Sequence, residues 1–82
     1  MPMISHFTGS SAANQIAASA VASARALSGM SQKQLAAATG IDQSDISKIE
    51  RGVANPSVST LERIARALGG QLAIQIAIPA GK

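Results

Sequence analysis

Ser31-Gln32-Lys33-Gln34-Leu35-Ala36-Ala37-Ala38-Thr39-Gly40-Ile41-Asp42-Gln43-Ser44-Asp45-Ile46-Ser47-Lys48-Ile49-Glu50-Arg51-Gly52 reads as two short helices joined by a tight turn. Ser31 with Gln34 three residues on has the form of a capping box, which satisfies two free donors at a helix start. The first helix carries Leu35, Ala36 and Ala38 and stops at Gly40, where a positive φ costs least. Asp42 is placed to cap the second helix, with Asp45 in its first turn, where the helix dipole favours anions. Ile46 and Ile49 give that helix its buried stripe, and Gly52 ends it. Ala36 must be small because the following helix crosses close above it. With Ile46 and Ile49 turned inward, Gln43, Ser44, Ser47 and Lys48 face outward.

Working outward, residues 1–10 hold Pro2, Gly9 and Ser10 and no period, and read as an N-terminal arm. Met1, Met3 and Phe7 are an apolar anchor for it or simply a frayed end. Ser11 to Leu27 is rich in Ala, the best helix former, with Ile16, Val21, Ala24 and Leu27 at helical spacing. Gly29 ends that helix. Beyond Gly52, Val53 to Pro56 form a turn. Ser57 to Leu68 form a further helix with Val58, Leu61, Ile64, Ala65 and Leu68 on one face. Gly69-Gly70 break it. In residues 71–78 the period changes: Leu72, Ile74, Ile76 and Ile78 alternate with smaller or polar residues, as in a strand with one buried face. Pro79 ends it, leaving 79–82 as a tail. A lone strand cannot satisfy its backbone groups, so its expected partner is the same strand of a second copy. The expected fold is mainly α, a folded unit over 11–70 of four to five helices, followed by a β-strand at 71–78 pairing across a dimer.

With 82 residues the chain is one small domain with a marginal core. It has no cysteine, hence no disulfide framework and no thiolate metal site. His6 stands alone, and a structural zinc needs four ligands, so no metal is expected. Seven basic residues against four acidic give +3, which points to a polyanionic partner. Asp42, Asp45, Glu50, Glu62 and His6 are nearly the whole acid–base supply, too little for a catalytic cleft. No enzyme, catalytic residue or cofactor is expected. The first 24 residues carry no charged side chain apart from His6 and lack the basic start of a signal peptide. No apolar run approaches the ~20 residues that span a bilayer. The expected location is the cytoplasm.

The text Ser31 to Ala36, Gly40-Ile41, Ile46-Ser47-Lys48-Ile49-Glu50-Arg51-Gly52, Asn55-Pro56-Ser57 and Leu61 through Leu68 resembles the helix-turn-helix family of phage repressors and their bacterial relatives, the Cro/C1/Xre type. The resemblance runs from about Val21 to Gly69. It implies that the second helix of the unit enters the DNA major groove and the first crosses the backbone. By family position it implies base contacts from Gln43, Ser44 and Lys48. Gln suits adenine, Lys suits guanine and Ser suits either. It implies phosphate contacts from Gln32, at a positive helix end, and from Ser47, Arg51 and Asn55. Against these stand plainer readings: a solvated polar face for the first set, a capping-turn residue at Gln32, a solvated cation at Arg51. Asp45 is either a first-turn anion or an acceptor for a cytosine amine. Arg25 and Glu50 correspond to a family ion pair that ties the first helix to the recognition helix. Arg63 and Arg66 read as a solvated face.

A terminal Leu-Gly followed by an alternating strand looks like the HipB- and HigA-type antitoxin branch. That resemblance implies a homodimeric repressor of its own operon, bound to a palindromic operator in double-stranded DNA, which neutralises a co-encoded toxin, a HipA-like kinase or a HigB-like RNase. The alternatives are a free-standing Xre-family transcriptional regulator with no toxin and, from another class, an amphipathic protein on a membrane surface. The last needs a basic face opposite Trp, Phe or Leu, which the Ala- and Ser-rich helix lacks.

Overall fold

The structure, a computed structural model, describes residues 12–79. Four helices follow in order: α1 (Ala12–Ser28), α2 (Gln32–Thr39), α3 (Gln43–Glu50) and α4 (Val58–Ala67). The arm with Met1, Met3, His6 and Phe7, and the last residues of the tail, lie outside the described residues. α1 packs on α3 and α4, and α2 packs on the same two helices.

The core is small and drawn from every helix. Leu35 of α2, Ile46 of α3 and Ile64 of α4 are the largest fully buried side chains, joined by Val21 of α1 and Ile49 of α3. Met30, Ala36, Ile41, Ala54, Leu61, Ala67 and Leu68 are half-buried against them. Ala36 takes the small-residue place at the α2 crossing.

The helix ends follow the chemistry of their residues. Ser31 accepts from the backbone N–H of Gln34 at 3.0 Å, and its own N–H donates to Gln34 Oε1 at 2.8 Å, a complete capping box. Gly40 adopts φ 76° and closes α2 by donating to Ala36 O. Ser57 caps α4 by accepting from Thr60 N–H at 3.1 Å. Asp42 departs from expectation: it occupies the cap position of α3, but its side chain makes no capping hydrogen bond. The α2–α3 turn is closed instead by Thr39, a buried residue at the end of α2. Its hydroxyl donates to Leu35 O at 2.8 Å and accepts from Ile41 N–H at 3.2 Å.

Two apolar stripes differ from their sequence reading. In α1 the spacing singles out Ile16, Val21, Ala24 and Leu27, yet Ile16 is 71% exposed and Leu27 89%. The face turned to the core carries Ala18, Val21 and the half-buried Ala22 and Arg25, residues small enough, or polar enough, to sit beside α3 and α4. In α4 only Ile64 is buried, Leu61 and Leu68 are half-buried, and Val58 is exposed.

After Gly70, whose N–H donates to Ala65 O at 2.9 Å, residues 71–79 run without helix or strand. Leu72 is half-buried, whereas Ile74, Ile76 and Ile78 are exposed. Among the described residues no second strand is present to pair with this segment. Its first residues, with Ile16, Ala20 and Ala24 of α1, Leu61 of α4 and Leu68 just after it, line an apolar groove of about 560 Å³.

Candidate nucleic-acid interface

α3 sorts its residues by helical geometry. Ile46 and Ile49 point into the core, so Ser44, Ser47 and Lys48 fall on the opposite side and Gln43, in the first turn, at its edge. Gln43, Ser44 and Lys48 are exposed and Ser47 is half-buried. Arg51 follows on the same side, one turn beyond Ser47, at the C-cap of α3. It is exposed, and its Nε donates to Ser47 O at 3.3 Å. Asn55 is exposed in the α3–α4 connection. Asp42 and Asp45 are exposed at the start of α3.

Gln32 is the first residue of α2, half-buried, and its side chain is already engaged. Its Nε2 donates to Glu50 Oε1 at 3.1 Å. Glu50 ends α3, where a negative charge opposes the helix dipole. The guanidinium of Arg25 offsets that charge in a two-pronged pair. Nε donates to Oε2 at 2.6 Å and Nη2 to Oε1 at 2.9 Å. The remaining Nη1 donates to Met30 O at 2.9 Å, in the turn between α1 and α2. The Glu50 side chain is only 7% exposed and that of Arg25 21%. Chiefly through its bonds from Arg25, the Glu50 carboxyl is held below the usual carboxylate range; burial opposes this and the Gln32 bond adds to it. Arg25 is raised in turn, first by its hydrogen bonds to Glu50.

The resemblance implies a pair of Arg25 with Glu50 and a separate Gln32; the structure joins all three. The family resemblance points to the Arg25–Glu50 pair but not to Gln32, because residues 25, 32 and 50 lie on three different helices. Thr39 has a structural role that residue type does not announce, and Gly52, expected only to end α3, does more. Thr39 closes the α2–α3 turn. Gly52 has φ 78° and is buried so closely against α1 that a Cβ there would collide with the side-chain amide of Gln15. Arg63 and Arg66 lie exposed on α4, where Arg66 pairs with Glu62 at 3.1 Å. Among the described residues no group of acidic, His or Cys side chains is arranged to hold a metal ion, and no helix is long and apolar enough to cross a membrane.

Two helices at a tight glycine turn, braced by one before and one after, are a helix-turn-helix fold. The profile of the helix-turn-helix family HTH_3, of Cro/C1 type, matches residues 21–74, well over half of the chain, and the chain belongs to that family. It is 49% identical over 45 residues to the uncharacterized HTH-type transcriptional regulator y4dL of Sinorhizobium fredii, a match covering 55% of this chain and 23% of that protein. It is 44% identical over 46 residues to an uncharacterized HTH-type transcriptional regulator of Haemophilus influenzae, covering 56% of this chain and 47% of the relative. The chain therefore matches less than half the length of either. Among solved structures, the restriction-modification controller protein C.Esp1396I superposes with a TM-score of 0.71 at 30% identity, over 74% of this chain and 78% of its own. An HTH_3 family transcriptional regulator from Vibrio cholerae superposes at 0.69 with 29% identity, over 72% of this chain and 33% of its own.

Proposed function

We propose that the chain is a sequence-specific DNA-binding transcriptional repressor acting as a homodimer on a palindromic operator. The observation that carries this reading is the outer side of α3. Gln43, Ser44 and Lys48 are exposed together on a helix whose other side is anchored by Ile46 and Ile49. In this reading α3 lies in the major groove, those side chains read base edges, and Gln32, Ser47, Arg51 and Asn55 hold phosphates. The +3 charge per chain supports a polyanionic partner. The transcriptional regulators and the controller protein among its relatives support the same class.

The test is affinity on selected operator sequences. Lys48→Ala is expected to weaken the cognate site by roughly 1–3 kcal/mol and to relax base choice at one position. Binding falls linearly in log–log terms with salt as counterions leave the phosphates. Unchanged sequence preference in Lys48→Ala overturns the assignment of α3 as the reading helix.

The dimer is proposed to form through residues 71–78. Ile74, Ile76 and Ile78 are exposed at alternate positions, and two such segments about a two-fold axis cover one another and pair their backbones. The same tail supports the antitoxin reading, in which the repressor also neutralises a HipA-like kinase or HigB-like RNase. The regulators among its relatives favour a free-standing Xre-type regulator instead. Pull-down from the native host separates the two: a co-purifying toxin supports the first, and operator binding with no such protein supports the second.

A further inference from the structure

Three helices meet at one carboxylate. Glu50 closes α3, receives Arg25 from the last turns of α1, and receives Gln32 from the first residue of α2. Arg25 also holds the carbonyl of Met30, which fixes the turn leading into α2. The start of α2 and the end of α3 are thus joined by side chains as well as by the core between them. A glutamine amide carries two N–H donors and an acceptor oxygen. Glu50 takes one donor of Gln32, and the second donor and the oxygen are left for a ligand. A free glutamine loses rotamer freedom when it clamps a phosphate, whereas one already fixed by a buried carboxylate has less to lose.

We propose that Glu50 is a positioning residue for DNA binding: through its bond to Gln32 it holds the Gln32 amide in fixed register with Gln43, Ser44 and Lys48. This rests on the reading of Gln32 as a phosphate contact. The ion pair then has two separable effects. Arg25 and Glu50 hold the helices together, and Glu50 with Gln32 sets the spacing between the backbone clamp and the base-reading side chains. Gln32 contacts no base in this arrangement, so loosening its clamp is felt on any DNA sequence, operator or not.

The experiment is a cycle of Glu50→Ala and Gln32→Ala in the full chain. Affinity is measured on operator and on unrelated DNA, at a temperature where circular dichroism shows every variant folded. Glu50→Ala is expected to weaken both DNAs by about threefold to tenfold, the worth of one hydrogen bond, and to have no further effect in the Gln32→Ala background. A purely structural Glu50 lowers the melting temperature in both backgrounds and leaves the folded protein's affinity unchanged, which overturns the proposal. So does an equal loss of affinity in both backgrounds. If Glu50→Ala is unfolded at every working temperature, Gln32→Asn decides. Its amide is one methylene short of Glu50, and it is expected to bind as weakly as Gln32→Ala; wild-type affinity overturns the proposal. Gln32→Ala binding like wild type, with Lys48→Ala still altering base preference, removes the positioning role and leaves the DNA-binding reading standing. Wild-type protein that binds no DNA removes both.

Discussion

The α2–α3 unit and the segment after Gly70 obey opposite rules. In the first, almost every backbone end is closed within the chain. Ser31 and Gln34 cap α2, Gly40 and Thr39 make the turn, and Leu35, Ile46 and Ile49 fill the space beneath. In the second, residues 71–79 make no ladder, and Ile74, Ile76 and Ile78 are 65%, 83% and 82% exposed. One region is finished by its own residues; the other carries the pattern of a finished element without the partner that would complete it. The difference is one of range. Caps and turns are satisfied within a few residues, whereas a strand needs a neighbour from elsewhere.

The largest expected effect comes from removing the unfinished region. Truncation after Gly70, or Ile76→Lys, is expected to give a monomer that keeps its helical circular dichroism. Operator affinity is expected to fall by about 10²–10⁴-fold, because two linked half-site contacts become independent. Burying each isoleucine is worth about 1.5–3 kcal/mol, enough for three per chain to drive association. Light scattering on the truncated chain is the measurement. A persistent dimer moves the interface to the α1–α4 groove and leaves the segment as an edge for another protein.

Next in size is the brace behind the helix-turn-helix unit. Arg25→Ala leaves the Glu50 carboxylate buried without a countercharge, held only by the Gln32 amide, and is expected to cost about 2–4 kcal/mol, at or below the range for fully buried pairs. The pH dependence has a definite sign. Glu50 ionises at lower pH in the folded chain than in the unfolded one, mainly because Arg25 bonds it. The stability this provides is fully present above the unfolded value near 4.5 and is lost as pH falls through the lower folded value. Urea titrations between about pH 6 and 3 are expected to show wild-type stability falling more steeply than that of Glu50→Gln. Parallel profiles remove the pair from the acid response.

The two regions also differ in how much of them is legible in the sequence. Gly40, the Ser31–Gln34 box and the Ile46–Ile49 stripe depend on local geometry, and residue identities a few positions apart specify it. The buried face of α1 is not legible in the same way, because spacing alone shows that a helix has apolar residues, not which side its neighbours approach. Ala18 and Val21 are the buried residues of α1, whereas Ile16 and Leu27 are largely exposed. The Gln32–Glu50 bond was invisible for a similar reason, since nothing in residues 18 positions apart announces contact. The alternation at 71–78 is plain in the sequence, but its meaning depends on a second molecule.

The smallest effect tests whether the helix caps are legible from residue type alone. Ser31 and Asp42 both stand at the cap position of a helix of the unit, and both belong to residue types that favour it. Only Ser31 makes the bond. Ser31→Ala removes an acceptor from Gln34 N–H and breaks a reciprocal pair, with an expected cost of about 1 kcal/mol. Asp42→Ala removes a carboxylate that contributes only through its proximity to the positive end of α3. That is worth about 0.3–1 kcal/mol at low ionic strength and less in salt. The two variants therefore separate with added salt. The Ser31→Ala loss persists at high ionic strength because a hydrogen bond is lost, whereas the Asp42→Ala loss shrinks as the dipole interaction is screened. Thermal melts at low and high salt measure both. Equal, salt-independent losses mean that Asp42 does cap α3 in solution, and the two helices of the unit then start in the same way.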